Sequence, residues 1–199
     1  MSTSERLLDT FGRIDAANRE DPSAERTSEG EFPAALLYGR RMSAWVDRLN
    51  PDASEALRIA ARAQHIRRWE IPRSEYPMDR PGYHKWRTTL YAFHGERAAD
   101  IMRKIGYADE TIDRVKQILS KKKLKTDPEV QTLEDAAALV FLEHHLAEFA
   151  ERDDMSEKKL IDIIQKTWKK MSKLGQQQAL KLDFPHELQA ILQKALSGA

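Results

Sequence analysis

Asp127 to Phe149 reads DPEVQTLEDAAALVFLEHHLAEF. The Asp-Pro pair is a helix entrance, with Asp as the cap and Pro at the first helical position, where its fixed φ and missing N–H cost nothing. Behind it Val130, Leu133, Ala136, Ala137, Leu139, Val140, Leu142, Leu146 and Phe149 form an apolar run free of Gly, which predicts a long, largely buried helix carrying His144 and His145 near its end. Asp135 sits inside this run. A carboxylate there is expensive to bury unless it meets a cation or a metal.

The rest of the chain agrees with that helix. Its 199 residues hold 24 Ala and 20 Leu but 4 Val and 8 Gly, so propensity predicts an all-α protein. The length suits a single domain. Lys and Arg number 33 against 32 Asp and Glu, a net charge of +1, which removes the usual electrostatic basis for a dedicated nucleic-acid or membrane-surface protein. There is no Cys, which excludes disulfides and thiolate chemistry. Any metal must be held by imidazole and carboxylate, as Fe, Mn, Zn or Mg are in N/O sites. The opening residues lack a signal-peptide core, and no stretch approaches the roughly 20 apolar residues of a membrane span, so the expectation is a cytoplasmic protein with no membrane partner.

Leu7, Leu8, Phe11 and Ile14 predict a first helix that gives way to a loop over 18–31. Pro33 opens a second helix, ended by Asn50-Pro51. Asp52 and Glu55 resemble a capping box for a third, which carries His65. A helix over about 84–105, stopped by Gly106, carries His94, and Asp109 caps a shorter one. Ser156 to Leu174 and Pro185 to Leu196 complete the set, with LGQQQALKLDF as the link.

Between them, EIPRSEYPMDRPG (70–82) holds three Pro and a Gly, so it reads as an irregular loop kept in order by the aromatic residues around it. From Arg62 to Arg87 lie six Arg and Lys85 against Glu70, Glu75 and Asp79. Arg68, Arg73, Arg80 and Arg87, interleaved with Trp69, Tyr76, Tyr83 and Trp86, are candidates for holding an anion, since guanidinium offers paired donors and the rings offer stacking faces. The alternative is that these Arg pair with nearby acids and pin the loop.

His65, His94 and Asp135, each among apolar neighbours, are candidate metal ligands. FHGERAADIMRKIGY (93–107), DETIDRVKQIL (109–119) and TLEDAAALVFLE (132–143) resemble the HD-domain superfamily of metal-dependent phosphohydrolases. That resemblance covers about residues 52–150, leaving 155–199 as a C-terminal helical extension of the single domain. It implies a divalent metal that activates water, with His65 as the first His and Asp135 as the final Asp. The chain has no His-Asp dipeptide. Either His94-Gly95 takes that place with Glu96 substituting, or the Pro-rich loop supplies His84 or Asp79. Glu96 and Glu134 are the candidates for positioning or deprotonating water, and His84 is a further candidate ligand.

More closely, IDAAN (14–18), LLYGRRMSAW (36–45), QHIRRWEIPRSEYPMDRPGYHKWR (64–87), FHGERAADI (93–101) and KKMSKLG (169–175) resemble a family of bacterial and fungal proteins known only as a domain of unknown function and often labelled glutamyl-tRNA synthetase-like. Lys170-Met171-Ser172-Lys173 resembles the ATP-loop signature of class I synthetases, but the chain lacks the strand-turn-helix nucleotide element those enzymes need. The expectation is therefore a metal-dependent hydrolase of a phosphorylated small molecule or nucleotide, and not a synthetase. Oxidative cleavage at non-haem iron is one alternative. Another is a non-catalytic module, with a degenerate metal site, that binds an anionic ligand or RNA.

Overall fold

The computed structural model describes residues 3–197. It is an all-α protein with one small hairpin, and the chain divides into two compact units, Met1–Leu133 and Glu134–Ala199.

The first unit holds α1 (Thr3–Asn18), β1 (Ala24–Thr27), β2 (Gly30–Pro33), α2 (Ala34–Leu49), α3 (Glu55–Ala63), α4 (Arg80–Ile105) and α5 (Asp109–Ser120), and ends inside α6 (Pro128–His144). Ile14, Met42, Val46, Leu57, Ile59, Ile66, Met102, Ile112, Val115 and Ile118 are almost wholly buried. α5 packs along α4, α3 lies against α2 and α5, and α1 touches α3 and α4. At Gly39 the helices come close enough that a Cβ would stand 2.7 Å from the Arg62 carbonyl oxygen, so only Gly fits.

Several boundaries differ from the sequence reading. The loop expected over 18–31 gives way to an antiparallel hairpin that runs on to Pro33, pairing Ala24 with Pro33 and Thr27 with Gly30. Its four-residue strands, AERT and GEFP, have no apolar alternation to announce them. The cap of α3 is Ser54, whose side chain accepts from Leu57 N, and not Asp52. The cap residue of α5 is Ala108, with Asp109 inside the first turn. α4 starts at Arg80, four residues before the expected 84, because Asp79 accepts from Gly82 N and Pro81 fits the first turn.

Charged side chains tie these helices together. Arg62 reaches both Asp15 oxygens at 2.7 Å. Arg114 holds Asp127 at 2.5 and 2.9 Å and Glu129 at 2.6 Å. Asp127 also accepts from Glu129 N at the entrance of α6. The Arg114 guanidinium holds the Asp127 carboxyl down at about 2.

The second unit begins within α6 and continues through α7 (Leu146–Ala150), α8 (Glu157–Lys170), α9 (Lys173–Ala179) and α10 (His186–Ser197). The helix expected to run unbroken to Phe149 is interrupted at His145. α8 packs against α10, with Gln165 Nε2 donating to the Ala195 carbonyl at 3.1 Å. The helix expected to run through to Leu174 stops at Lys170, because Ser172 caps α9 by accepting from Gly175 N at 3.1 Å. Ser172 also serves Asp135, which accepts from its backbone N at 2.8 Å and its hydroxyl at 2.5 Å. A Cβ at Gly175 would stand 2.7 Å from Asp135 Cγ.

Two outcomes follow. Gly175→Ala has to displace the Asp135 carboxylate, and Ser172→Ala strips it of one donor and α9 of its cap. Each should lower stability in urea titration by about 1–3 kcal/mol, and a change in Gly175→Ala within about 0.3 kcal/mol would mean that the contact yields freely. The second concerns pH. The folded pKa of Asp127 lies below its ordinary value of about 3.9, so its contribution is complete above that value and is lost as pH falls towards 2. Asp127→Asn, which can still cap, should therefore be less stable than wild type at pH 6 and match it near pH 2.

Candidate functional site

α3 ends at Ala63, and the chain turns through residues 64–67 instead of continuing as helix. Arg67 takes a left-handed φ of 51°, with its backbone N donating to Asn18 Oδ1 at 3.2 Å. Ile66 is buried, while His65 and Arg68 meet each other: Arg68 Nη1 donates to His65 Nε2 at 2.7 Å. A guanidinium has donors only, so this His65 nitrogen is the bare one, and its ring is the neutral tautomer with the proton on Nδ1. The ring also lies flat on Tyr38 of α2, with centroids 3.7 Å apart and planes at 13°.

Arg68 is only partly exposed, and its guanidinium sits 4.8 Å over the Trp86 ring. Among the described residues no carboxylate pairs with it. Burial pushes its pKa down, and the neighbouring Arg87 pushes the same way. Trp86 is fixed by its indole N–H, which donates to the Ile71 carbonyl at 2.9 Å. Beside it Tyr83 is 42% exposed, with Arg73 and Arg87 at 5.9 and 5.7 Å from its ring. Arg87 also donates to the Tyr91 hydroxyl.

His94 comes from the middle of α4 and is 2% exposed, its ring 6.0 Å from that of His65. Its Nδ1 donates to the Ile66 carbonyl at 2.9 Å, which leaves Nε2 as a bare acceptor. That Nε2 is buried and has no hydrogen-bond partner among the described residues. Burial, assisted by the positive charges of Arg68 and Lys121, lowers the His94 pKa to about 3. The first unit thus gathers two neutral imidazoles and, in Arg68, a guanidinium that meets no carboxylate among the described residues. Such a field repels cations and attracts anions.

The other expected residues divide between tasks. Arg73 donates to the carbonyls of Tyr76, Pro77 and Asp79 and so clamps the irregular segment, which itself contains 3₁₀ turns at Arg68–Glu70 and Arg73–Glu75. Arg67 is bonded to Glu70 and Glu20 and lies over Trp69. Arg62, Arg67 and Arg73 thus have hydrogen-bond partners within the fold. Arg80 and His84 are exposed, with His84 edge-on to Tyr83, and Tyr76 is half-buried. Glu96 is exposed and bonded to Lys116 at 2.5 Å. Glu134 and Asp135 belong to the second unit, where Lys170 stands 3.8 Å from Glu134 and Ser172 holds Asp135. Among the described residues no three of His, Asp and Glu gather closely enough to hold a metal ion. Sequence reasoning did not single out Tyr38 or Tyr91 as site residues. For Tyr38 a signal existed, since it sits in the LLYGRRMSAW stretch beside the close-approach Gly39.

No helix among the described residues is long and apolar enough to cross a membrane. No curated protein and no solved structure matches the chain. Residues 9–192, nearly its whole length, match the family described as Domain of unknown function (DUF4202). The chain belongs to the DUF4202 family.

Proposed function

We propose that this protein binds a small phosphorylated anion in the cluster formed by Arg68, His65, Tyr38, Trp86 and Tyr83. One observation carries the reading: Arg68 is a partly buried guanidinium whose hydrogen bond goes to a neutral imidazole and whose charge meets no carboxylate among the described residues. A charge drawn out of water without a counter-charge is costly, and an oxyanion relieves that cost by accepting two parallel N–H bonds from the fork. The aromatic residues give the ligand walls. Trp86 and Tyr83 lie beside the guanidinium groups and offer ring faces to a bound ligand.

Hydrolysis of that ligand at a divalent metal is a further step, and the first unit supports it with a single feature, the bare Nε2 of His94. His65 offers less, because its Nε2 is already bonded to Arg68. Binding is therefore the function supported best, and catalysis is the second reading.

Arg68→Ala should weaken binding of inorganic phosphate by about 10- to 100-fold, the worth of hydrogen bonds to a charged group, read by isothermal titration. Arg103→Ala, at an exposed position near the end of α4, should leave it unchanged. Equal affinity in wild type and Arg68→Ala would place the anion elsewhere. Elemental analysis of protein purified without chelators tests the second reading, which expects stoichiometric metal that is lost in His94→Ala.

A further inference from the structure

We propose that the second unit holds a binding site for a small alkylammonium ion, in the cavity lined by α7, α8, α10 and the turns that join them. The cavity measures about 230 Å³, and its lining residues all lie within 147–191, so it belongs to one compact unit. α7 presents Ala147 and Ala150, three residues apart and hence on one side of the helix, where longer side chains would close the space. Leu160 of α8 and Leu188 of α10, both buried, supply apolar wall together with Met155 and Ile191. The volume falls below the roughly 300–1,000 Å³ of sites for drug-sized molecules, so the occupant is a smaller one.

The polar groups decide the head of the ligand. Three carboxylates line the cavity, Glu151 where α7 ends, Glu157 in the first turn of α8 and Glu187 in the first turn of α10, and no Lys, Arg or His lines it. Glu157 accepts from Lys194 Nζ at 2.7 Å. Glu151 and Glu187 have no ion-pair partner among the described residues. Arg152 and Lys159 go to Asp154 instead, the first to its carboxylate at 3.1 Å and the second to its carbonyl at 2.9 Å. The remaining polar lining residue, Ser156, is used as the cap of α8. An ammonium brings three donors and no acceptor, which suits two carboxylates without a counter-charge.

The walls decide the rest of it. Carboxylates on open surface attract any cation, but these stand at the edge of apolar side chains, so a cation that carries a hydrocarbon body also removes apolar area from water. A metal ion brings no such body, and among the described residues no three of His, Asp and Glu gather closely enough to hold one. The site is independent of the anion cluster around Arg68, which lies in the first unit.

Isopentylamine, isopentanol and isovalerate test this, because they share a branched hydrocarbon body and differ in the charge of the head. Titrated into the full chain at low salt and about pH 7, with its methionine methyl groups labelled for NMR, isopentylamine should shift the Met155 signal saturably, that signal being identified by its loss in Met155→Leu. Isopentanol should bind about threefold to tenfold more weakly, the worth of two exposed ion pairs, and isovalerate more weakly still. Glu151→Gln combined with Glu187→Gln, both at exposed positions, should bring the amine down to the affinity of the alcohol. Ala150→Leu fills the space and should abolish the shift with all three ligands; if that variant does not fold, the wild-type series and the double Gln variant decide. Equal affinity for amine and alcohol in wild type, or amine binding unchanged in the double variant, overturns the proposal. So does the absence of a saturable Met155 shift with the amine.

Discussion

A backbone without a helix or ladder of its own has to be tied down by side chains, and the segment between α3 and α4 is where the first unit meets that demand. Asn18 takes the amide of Arg67, Arg73 collects three carbonyls, and the Trp86 indole takes the carbonyl of Ile71. Arg67 is bonded to acids on both sides of it. Arg68 stands apart from this arrangement. It lies in the middle of a segment held by its neighbours, yet its own charge is matched by none of the acids that hold them. The rigidity of the segment and the availability of that guanidinium have one origin, because the clamps leave Arg68 no freedom to seek a carboxylate.

The same segment explains why net charge is a poor guide to this molecule. A sum of +1 averages over surface pairs such as Arg13 with Asp9 and Lys166 with Asp162, which screen each other locally and say nothing about the interior. Around His94 the balance is one-sided. Arg68 and Lys121 both act on a ring that cannot answer by releasing a proton, since burial already keeps it neutral. Elsewhere in the unit charges meet in opposite pairs, such as Arg62 with Asp15.

Much of this was readable from residues alone, and the limits are instructive. The Ala and Leu excess gives the helices, and Asp127-Pro128 and Gly106 give two of their ends, because these signals act within one turn of chain. Where two cap-forming residues compete, as Asp52 and Ser54 do, spacing alone does not choose, and the one whose oxygen reaches an amide wins. The hairpin before α2 is held by Asp21, which accepts from Ser23 N and Ala35 N, a three-way contact invisible to periodicity. The site divides in the same way. His65, Arg68, Trp86 and His94 stand out by type and setting, whereas Tyr38 of α2 and Lys121 just past the end of α5 are known only once those helices pack.

The hydroxyl of Ser172 bears on how the protein can be taken apart. It closes a loop of sequence from α6 to α9 by joining a buried carboxylate to the turn that starts a distant helix. A fragment ended after α7 would keep Asp135 and lose both of these donors. Expression boundaries for the second unit should therefore be drawn to include the Ser172 turn, and a shortened version that precipitates would be reporting a severed hydrogen bond before any loss of function.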